Sequence, residues 1–201
     1  MKIKFVIILF LLMGPILMIN DAQAQSGTQE KAVFAGGCFW CIEAAFEKVD
    51  GVIAAVSGYT DGKKVDPTYQ EVSAGRTGHA EAVEVTFDSA KVSYAELIDV
   101  FWRNIDPTQK NGQFADKGSQ YRTAIYFQNN EQKAAAEHAK KTLEQSGKFK
   151  KPIVVEIKPA EKFYTAEEYH QDYYKKNPGH YKSYHYFSGR GPFIKKVWGE
   201  E

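Results

Sequence analysis

Short apolar runs and alternating apolar and polar positions predict five strands along the chain. Residues 80–87 alternate, and a period of two is expected of a strand with one buried face. The first strand ends at Gly36-Gly37, where the backbone can turn sharply. The predicted strands cover residues 31–35, 52–56, 80–87, 121–127 and 153–157.

Helical spacing of apolar residues begins directly after this turn. Between residues 38 and 49, large apolar side chains recur at intervals of three and four, which places them on the core-facing side of a helix. These side chains are Phe39, Ile42, Phe46 and Val49. Gly51 follows and favours the end of the helix.

Three further helices are predicted from capping sequences and composition. Ser93 and Glu96 form a capping box, in which the serine caps the first turn and the acid bonds back to it. Thr165 and Glu168 form a second such box, which would open a short helix that ends at residues 177–179. Residues 131–145 are rich in alanine, lysine and glutamate, which predicts a mostly exposed helix.

Together these elements predict one α/β domain. Strands and helices alternate without the regularity of a doubly wound sheet. We therefore expect an α+β arrangement: a single two-layer domain over residues 31–201, with a mixed β-sheet flanked by helices. The last residues, rich in tyrosine, histidine and glycine, predict an irregular C-terminal tail, and the polar residues 25–30 predict a flexible lead-in.

The first 24 residues have the pattern of a signal peptide. Lys2 and Lys4 precede an apolar run over residues 5–19, and Ala22-Gln23-Ala24 matches the small-x-small pattern that signal peptidase cleaves. The run is shorter than the roughly 20 apolar residues that span a bilayer. We therefore expect export to the periplasm or the exterior, without stable membrane association after cleavage. An uncleaved signal anchor stays open as the alternative.

The charges of the remaining chain balance. Removing Lys2, Lys4 and Asp21 with the signal peptide leaves 24 basic and 24 acidic residues. No long block of one sign is present in the sequence. Because nucleic-acid binding depends on neutralising phosphates, this balance argues against nucleic acid as a partner.

Cys38 and Cys41 are the two cysteines of the chain. In an exported protein, two cysteines commonly form a structural disulfide. A bridge that closes a loop of about four residues stabilises by only about 2 kcal/mol, against about 4.7 kcal/mol for a loop of about 100 residues. The short spacing is therefore more typical of a redox-active pair.

The position of Cys38 predicts a nucleophile. It follows the glycine turn and begins the helix, where unpaired N–H groups and the helix dipole favour a thiolate. Cys41 lies three residues later on nearly the same face. We therefore expect Cys41 to reach the sulfur of Cys38 once that sulfur is oxidised.

Phe39 and Trp40 separate the two cysteines, and two interpretations are open. Both rings could be core, and the apolar stripe supports this in part for Phe39. Trp40 falls on the opposite side of the helix, beside Glu43 and Glu47. An aromatic side chain outside the core face and next to a nucleophile suits a surface that binds a methyl-thioether group.

Glu81 is the candidate proton donor. In the strand over residues 80–87 it shares a face with the apolar Val83, Val85 and Phe87. A carboxyl group at the end of an inward-facing row loses water, which raises its pKa and suits proton donation. A carboxylate paired with a nearby basic group is equally open on the residues alone.

Six strings follow one another along the chain and together carry a resemblance. They are GCFWCIEAAF, SGYTDGKKVDPTYQEV, GRTGHAEAVEVTFD, FWRNIDPTQ, DKGSQYRTAIYF and AEEYHQDYYKKNP. In this order they resemble peptide methionine sulfoxide reductases of the A type, whose active-site signature is usually Gly-Cys-Phe-Trp-Gly. The resemblance covers essentially residues 31–180, so it does not depend on one motif.

The resemblance implies an activity and a set of roles. This family reduces the S epimer of methionine sulfoxide, free or in proteins, which repairs oxidised proteins. Cys38 would attack the sulfoxide sulfur, and Glu81 would protonate the oxygen. Tyr69 and Tyr121 would donate hydrogen bonds to that oxygen. Asp116 would hold the amide end of the substrate or order the site.

The resemblance also implies how the thiol is regenerated. Oxidation leaves a sulfenic acid on Cys38, which a second thiol converts to a disulfide. Cys41 stands where the family usually has glycine and the chain has no C-terminal cysteine, so Cys41 is expected to resolve alone. A thioredoxin-like protein would then reduce the disulfide.

Ile105 and His79 are two further positions on which the resemblance bears. Ile105 stands where the family commonly has a histidine, which leaves the role of that histidine open. His79 is expected to neighbour Glu81 without acting in catalysis. The five histidines offer no convincing ligand set, and the reaction needs no metal or other cofactor. We expect a monomer.

Two other classes of protein stay open on the cysteine pair alone. A thioredoxin-like disulfide oxidoreductase would also use two cysteines at this spacing, but it would not need Glu81 beside the thiol. A binding module held by a Cys38–Cys41 disulfide would lose mainly stability, and no activity, when Cys38 is replaced by serine.

Overall fold

A mixed six-stranded sheet lies at the centre of the fold. The computed structural model describes residues 28–199, so the predicted signal peptide, residues 1–24, lies outside the described residues. The strands are β1 Gln29–Gly36, β2 Val52–Thr60, β3 Ala80–Asp88, β4 Gly112–Gln113, β5 Asp116–Lys117, β6 Thr123–Phe127, β7 Glu156–Pro159 and β8 Tyr164–Thr165. The sheet order is β7-β6-β1-β3-β2-β8, and β4 pairs with β5 in a separate ribbon. β6 and β7 are parallel, while the other neighbours are antiparallel.

Helices follow or separate these strands, and 3-10 turns occupy two of the connections. The helices are α1 Phe39–Phe46, α2 Tyr69–Ser73, α3 Tyr94–Arg103, α4 Asn130–Gln145, α5 Tyr173–Lys176, α6 Pro178–Phe187 and α7 Arg190–Trp198. The 3-10 turns are Ser119–Tyr121 and Glu168–His170. None of the helices between residues 28 and 199 is long and apolar enough to cross a membrane.

The main core lies on one face of the sheet, where strand side chains meet α1, α3 and α4. Phe34 of β1 stacks on Phe46 of α1, with ring centroids 4.9 Å apart, and on Phe101 of α3 at 5.2 Å. The opposite face is smaller and carries mostly alanine and valine with Tyr126, packed against Phe163. The sheet is mixed and the helices pack mainly on one of its faces, which confirms the predicted single domain.

The strand and helix predictions are right in kind and differ in their bounds. β1 begins at Gln29, so the last two residues of the predicted lead-in pair with β3. The prediction that Tyr121 begins a strand is wrong, because Tyr121 ends a 3-10 turn and β6 begins at Thr123. The last strand lies at Glu156–Pro159 rather than over residues 153–157.

One of the two predicted capping boxes is present in the structure. Glu96 N–H donates to Ser93 Oγ at 3.2 Å, and Ser93 N–H donates to the Glu96 carboxylate at 2.8 Å, which confirms the start of α3. The box at Thr165 and Glu168 is wrong, because Thr165 pairs with Gly58 in the sheet. Strand pairing uses the backbone groups that a helix cap would need.

The residues after Asn177 form two helices, α6 and α7, which corrects the predicted irregular tail. Pro178 stands in the first turn of α6, where its missing N–H leaves no helical hydrogen bond unmade. Gly189 follows α6 with φ 93°, a conformation that favours glycine. Since no side chain of α6 is fully buried, the apolar pattern gave no helical signal.

Candidate active site

The cysteine turn joins the end of β1 to the start of α1. Gly37 has φ 83°, and a Cβ atom on it would lie 2.5 Å from Gln113 Cβ and 2.9 Å from an Arg190 guanidinium nitrogen. A larger residue would therefore be strained in its backbone and crowded by its neighbours. Cys38 is the residue before the first turn of α1, as the glycine pattern predicts.

A cavity of about 220 Å³ opens above Cys38. It is lined by Cys38, Phe39, Trp40, Tyr69, Glu81, Asp116, Tyr121 and Tyr184. Seven of these eight residues are the candidate site residues of the sequence analysis, brought together from β1–α1, α2, β3, β5 and the 3-10 turn before β6. Cys41, the remaining candidate, is buried and does not line the cavity.

Glu81 is a buried carboxyl group of β3 that lines the cavity. It is 2% exposed, and Phe39 N–H donates to its Oε2 at 3.1 Å. Burial raises the pKa of Glu81 to about 8, against the opposing effect of the Phe39 hydrogen bond. No basic side chain pairs with Glu81 among the ion pairs of residues 28–199, so Glu81 holds a proton at neutral pH.

The two cysteines are free thiols whose ionisation differs from the prediction. Burial raises the pKa of the Cys38 thiol well above its usual value, and the hydrogen bond with Cys41 and the neighbouring acids raise it further. The expected thiolate at the helix start is therefore wrong for Cys38. The physical reason is that the loss of water around the buried thiol disfavours its charged form.

Cys41 is the more acidic partner of this pair. Burial opposes its ionisation, but the hydrogen bond with Cys38 and the positive charge of Arg190 outweigh burial and lower its pKa. The backbone also brings the two residues together, since Cys41 N–H donates to Cys38 O at 3.2 Å. The two side chains also hydrogen-bond to each other, so the two sulfur atoms lie close together in the reduced protein.

Tyr69 and Tyr121 bring two hydroxyl groups to the cavity. Burial raises the pKa of Tyr69 to about 12 and raises that of Tyr121 further, and the nearby Glu81 adds to both shifts. Both hydroxyls therefore stay protonated and available as donors. Tyr69 begins α2, a short helix that the apolar pattern did not predict, and its N–H donates to Glu167 at 2.8 Å.

Trp40 is held by the C-terminal segment rather than exposed on the far side of α1. Its ring stacks on Tyr173 at 3.8 Å with an interplanar angle of 6°. Its Nε1 donates to His170 Nδ1 at 3.0 Å. Glu43, on the same side of α1, is buried and accepts from Asp172 N–H at 3.2 Å. The indole, which lines the cavity, is therefore held in place by these two contacts.

Asp116 stands at the opposite rim of the cavity. The Tyr184 hydroxyl donates to its Oδ2. Burial raises the pKa of Asp116, while the Tyr184 hydrogen bond and the charge of Arg190 act against that rise. The separate ribbon of β4 and β5 positions this carboxyl group, and neither short strand was predicted.

Four residues of the site were missed by the sequence analysis: His170, Tyr184, Glu167 and Arg190. His170 contacts the rings of Phe39 and Tyr69, with centroids 5.0 and 4.2 Å apart. Glu167 accepts from Tyr59 Oη at 2.7 Å and so ties β2 to the start of α2. The string AEEYHQDYYKKNP contained the signal for His170, but the roles of its single residues were not assigned.

His79 and Ile105 lie outside the cavity. His79 is buried, and its Nε2 contacts Lys64 O at 2.7 Å. Ile105 is fully buried and packs beside Gly36, so it fills core space behind the cysteine turn. Within residues 28–199, no three or more histidine, cysteine or acidic side chains cluster as metal ligands would.

Comparison with known proteins places this cavity in a family. The sequence profile described as "Peptide methionine sulfoxide reductase" matches residues 30–201. A peptide methionine sulfoxide reductase MsrA of Listeria monocytogenes is 54% identical over 169 residues, which cover 84% of this chain and 96% of the relative. The protein of the same name from Bacillus velezensis is 54% identical over 86% of this chain and 98% of its own length.

Solved structures agree with the sequence comparison. Reduced Mxr1 from Saccharomyces cerevisiae has a TM-score of 0.70 and 32% identity, over 75% of this chain and 87% of that protein. Methionine sulfoxide reductase A of Corynebacterium diphtheriae has a TM-score of 0.66 and 35% identity, over 77% of both chains. The chain belongs to the peptide methionine sulfoxide reductase family.

Proposed function

We propose that this chain is a peptide-methionine (S)-S-oxide reductase that returns methionine sulfoxide, free or in proteins, to methionine. The observation that carries the proposal is the placement of Glu81. A carboxyl group with a pKa of about 8 lines the same cavity as a cysteine thiol. A proton donor beside a sulfur nucleophile is what reduction of a sulfoxide requires.

The first half of the reaction transfers the oxygen to Cys38. The Cys38 sulfur attacks the sulfoxide sulfur while Glu81 protonates the oxygen, and the thiol proton returns to the Glu81 carboxylate. Tyr69 and Tyr121 donate hydrogen bonds to the oxygen as negative charge develops on it. Methionine leaves, and the oxygen remains on Cys38 as a sulfenic acid.

Aromatic and polar walls give the cavity its selectivity. The rings of Phe39 and Trp40 offer an apolar surface to the methyl group of the substrate. In this proposal Asp116, which accepts a hydrogen bond from Tyr184, holds the amide end of a peptide substrate. Because one chain supplies all of these residues, a monomer is sufficient for the reaction.

The second half of the reaction restores the thiol. Cys41 condenses with the Cys38 sulfenic acid, which forms a disulfide and releases water. A dithiol protein of the thioredoxin type then supplies two electrons and two protons, returning both cysteines to the reduced form. Such a protein is a suitable reductant because it reduces disulfides by thiol exchange and needs no other cofactor.

A substrate comparison tests the proposed function. The protein without its first 24 residues is incubated with dithiothreitol and a peptide that carries either the S or the R epimer of methionine sulfoxide. We expect methionine to accumulate with the S epimer, and chromatography of the peptide measures it. Absence of S-epimer reduction, or equal reduction of both epimers, would contradict the proposal.

Replacement of the second cysteine tests its role as resolver. Cys41→Ser should still form about one methionine per chain, because Cys38 is intact, but should lose cycling supported by thioredoxin. Rapid-quench measurement gives the first turnover, and NADPH consumption in the presence of thioredoxin and thioredoxin reductase gives the cycling. Sustained cycling at the native rate would show that Cys41 is not the resolver.

We propose that the enzyme works outside the cytoplasm after removal of residues 1–24. The basic start, the apolar run and the Ala22-Gln23-Ala24 pattern support this location. The exported protein from a bacterial host should begin at Gln25 when its intact mass is measured. Full-length chain in the membrane fraction would instead indicate an uncleaved anchor.

A further inference from the structure

The two cysteines differ in how an outside molecule can reach them. Both are buried, but Cys38 is 6% exposed and lines the cavity, whereas Cys41 is 2% exposed and does not line it. The cavity is free once methionine has left. A thiol that enters from solvent therefore meets Cys38, and Cys41 lies behind it.

The C-terminal helices surround Cys41 with groups that favour its ionised form. The Tyr181 hydroxyl of α6 hydrogen-bonds to the Cys41 sulfur. Arg190, the first residue of α7, is 1% exposed, and its positive charge lowers the pKa of Cys41. Burial and the hydrogen bond with Cys41 instead raise the pKa of Cys38, which disfavours a thiolate there.

Arg190 is a buried cation held by backbone groups. One guanidinium nitrogen donates to Gly36 O at 2.9 Å, and the other donates to Asn104 O. Within the described part of the chain, no carboxylate lies within 4.0 Å of it to form an ion pair. The same side chain therefore braces the cysteine turn and leaves its charge available to a nearby anion.

We propose that Cys38 is the sulfur that the reducing dithiol attacks and that Cys41 is the leaving thiolate, with Tyr181 and Arg190 as the residues that hold it. This inference rests on the proposed function, in which the Cys38–Cys41 disulfide forms after the first turnover. It assigns the reductant to the substrate cavity and gives the C-terminal helices a part in regeneration.

The exchange reaction balances in two steps. A thiolate of the reductant bonds to Cys38 Sγ and the Cys38–Cys41 bond breaks, so its electron pair leaves with Cys41. The second thiol of the reductant then attacks the mixed disulfide and releases Cys38. Two electrons pass from the dithiol to the cysteine pair, and the two protons of the dithiol finish on the enzyme. A thiol of lower pKa leaves faster, so stabilising the Cys41 anion speeds the first step.

Mapping of the mixed disulfide tests which sulfur is attacked. The protein without its first 24 residues is oxidised by one equivalent of the S-sulfoxide peptide, and the methionine formed is measured first. A thioredoxin whose second active-site cysteine is replaced by serine is then added, and the trapped complex is quenched in acid and labelled with N-ethylmaleimide. Fragmentation between Cys38 and Cys41 should find thioredoxin on Cys38 and the maleimide on Cys41.

The reverse labelling pattern would overturn the inference. Methionine formed with thioredoxin on Cys41 leaves the proposed function standing and removes only the assignment of the attacked sulfur. Failure to form methionine at the first step would instead contradict the proposed function itself. The two failures are therefore separated within one experiment.

A matched pair of tyrosine variants tests the role of the C-terminal helices. Tyr181→Phe should slow reduction of the preformed disulfide by thioredoxin about three- to tenfold, because the leaving thiolate loses a hydrogen bond. Tyr174→Phe, whose ring lies 5.9 Å from that of Tyr181, is the control and should react at the native rate. Stopped-flow tryptophan fluorescence measures both rates.

The ionisation of Cys41 separates an electrostatic role from a structural one. In the Cys38→Ser background, Cys41 is the only cysteine of the chain, so ultraviolet absorbance of the thiolate reports its pKa alone. Adding Tyr181→Phe should raise this pKa, and adding Tyr174→Phe should leave it unchanged. Equal pKa values in both double variants would overturn the role assigned to Tyr181.

Discussion

Cys38→Ser should abolish formation of methionine from the S-sulfoxide peptide, with a loss of roughly four orders of magnitude or more. The serine hydroxyl cannot replace the thiol, because it neither attacks sulfur effectively nor accepts oxygen as a sulfenic acid does. Folding should survive the change. Cys38 precedes the first turn of α1, and serine is a favoured residue at that position.

Methionine release in a single turnover and thermal unfolding of the same variant check this expectation together. Loss of activity with a melting temperature within a few degrees of the native value is the expected result. If the melting temperature of Cys38→Ser falls far below that of the oxidised native protein, the result would favour a structural disulfide. Residual activity near the native level would show that Cys38 is not the nucleophile.

Glu81→Gln should slow the first turnover by about 10²- to 10⁴-fold, because the amide cannot donate a proton to the sulfoxide oxygen as the acid does. Glu84→Gln is the matched control on the same strand. Its carboxylate points to the other face of the sheet and pairs with Lys31 at 2.6 Å, so the rate should stay within about twofold of native. Rapid-quench formation of methionine measures both variants.

The pH dependence of the first turnover tests the role of Glu81 independently of the substitution. Burial raises the pKa of Glu81 to about 8, so the acid form is present below that pH and is lost as the pH rises through it. The donor contribution to the first turnover should therefore decline above about pH 8, and Glu81→Gln should lose this limb of the profile. A native rate of methionine formation in Glu81→Gln would show that Glu81 is not the proton donor.

Local patterns were sufficient for the parts of the site that depend on neighbours in the chain. A strand that ends at Gly36-Gly37 and a helix that begins beside Cys38 are short-range features, set by glycine conformations and apolar spacing. The period of two along β3 likewise placed Glu81 on the face that carries Val83. These features appear in the structure as the sequence analysis expected.

The C-terminal helices could not be predicted in the same way. Their side chains pack through tyrosine and histidine rings rather than through an aliphatic stripe, as in the stacking of Tyr173 on Trp40. His170 and Tyr184 therefore contact Trp40 and Asp116 of the cavity across more than 60 residues of chain. Periodicity in one segment contains no information about such distant partners.

The sequence by itself determined the cysteine turn, the inward carboxyl group and the family to which the chain belongs. Only the tertiary structure decided which cysteine is the more acidic. Burial and the hydrogen bond with Cys41 keep the Cys38 thiol protonated, while Arg190 and Tyr181 favour the anion of Cys41. The reason is that an ionisation depends on desolvation and on charges brought close by folding, and neither is encoded in the spacing of two cysteines.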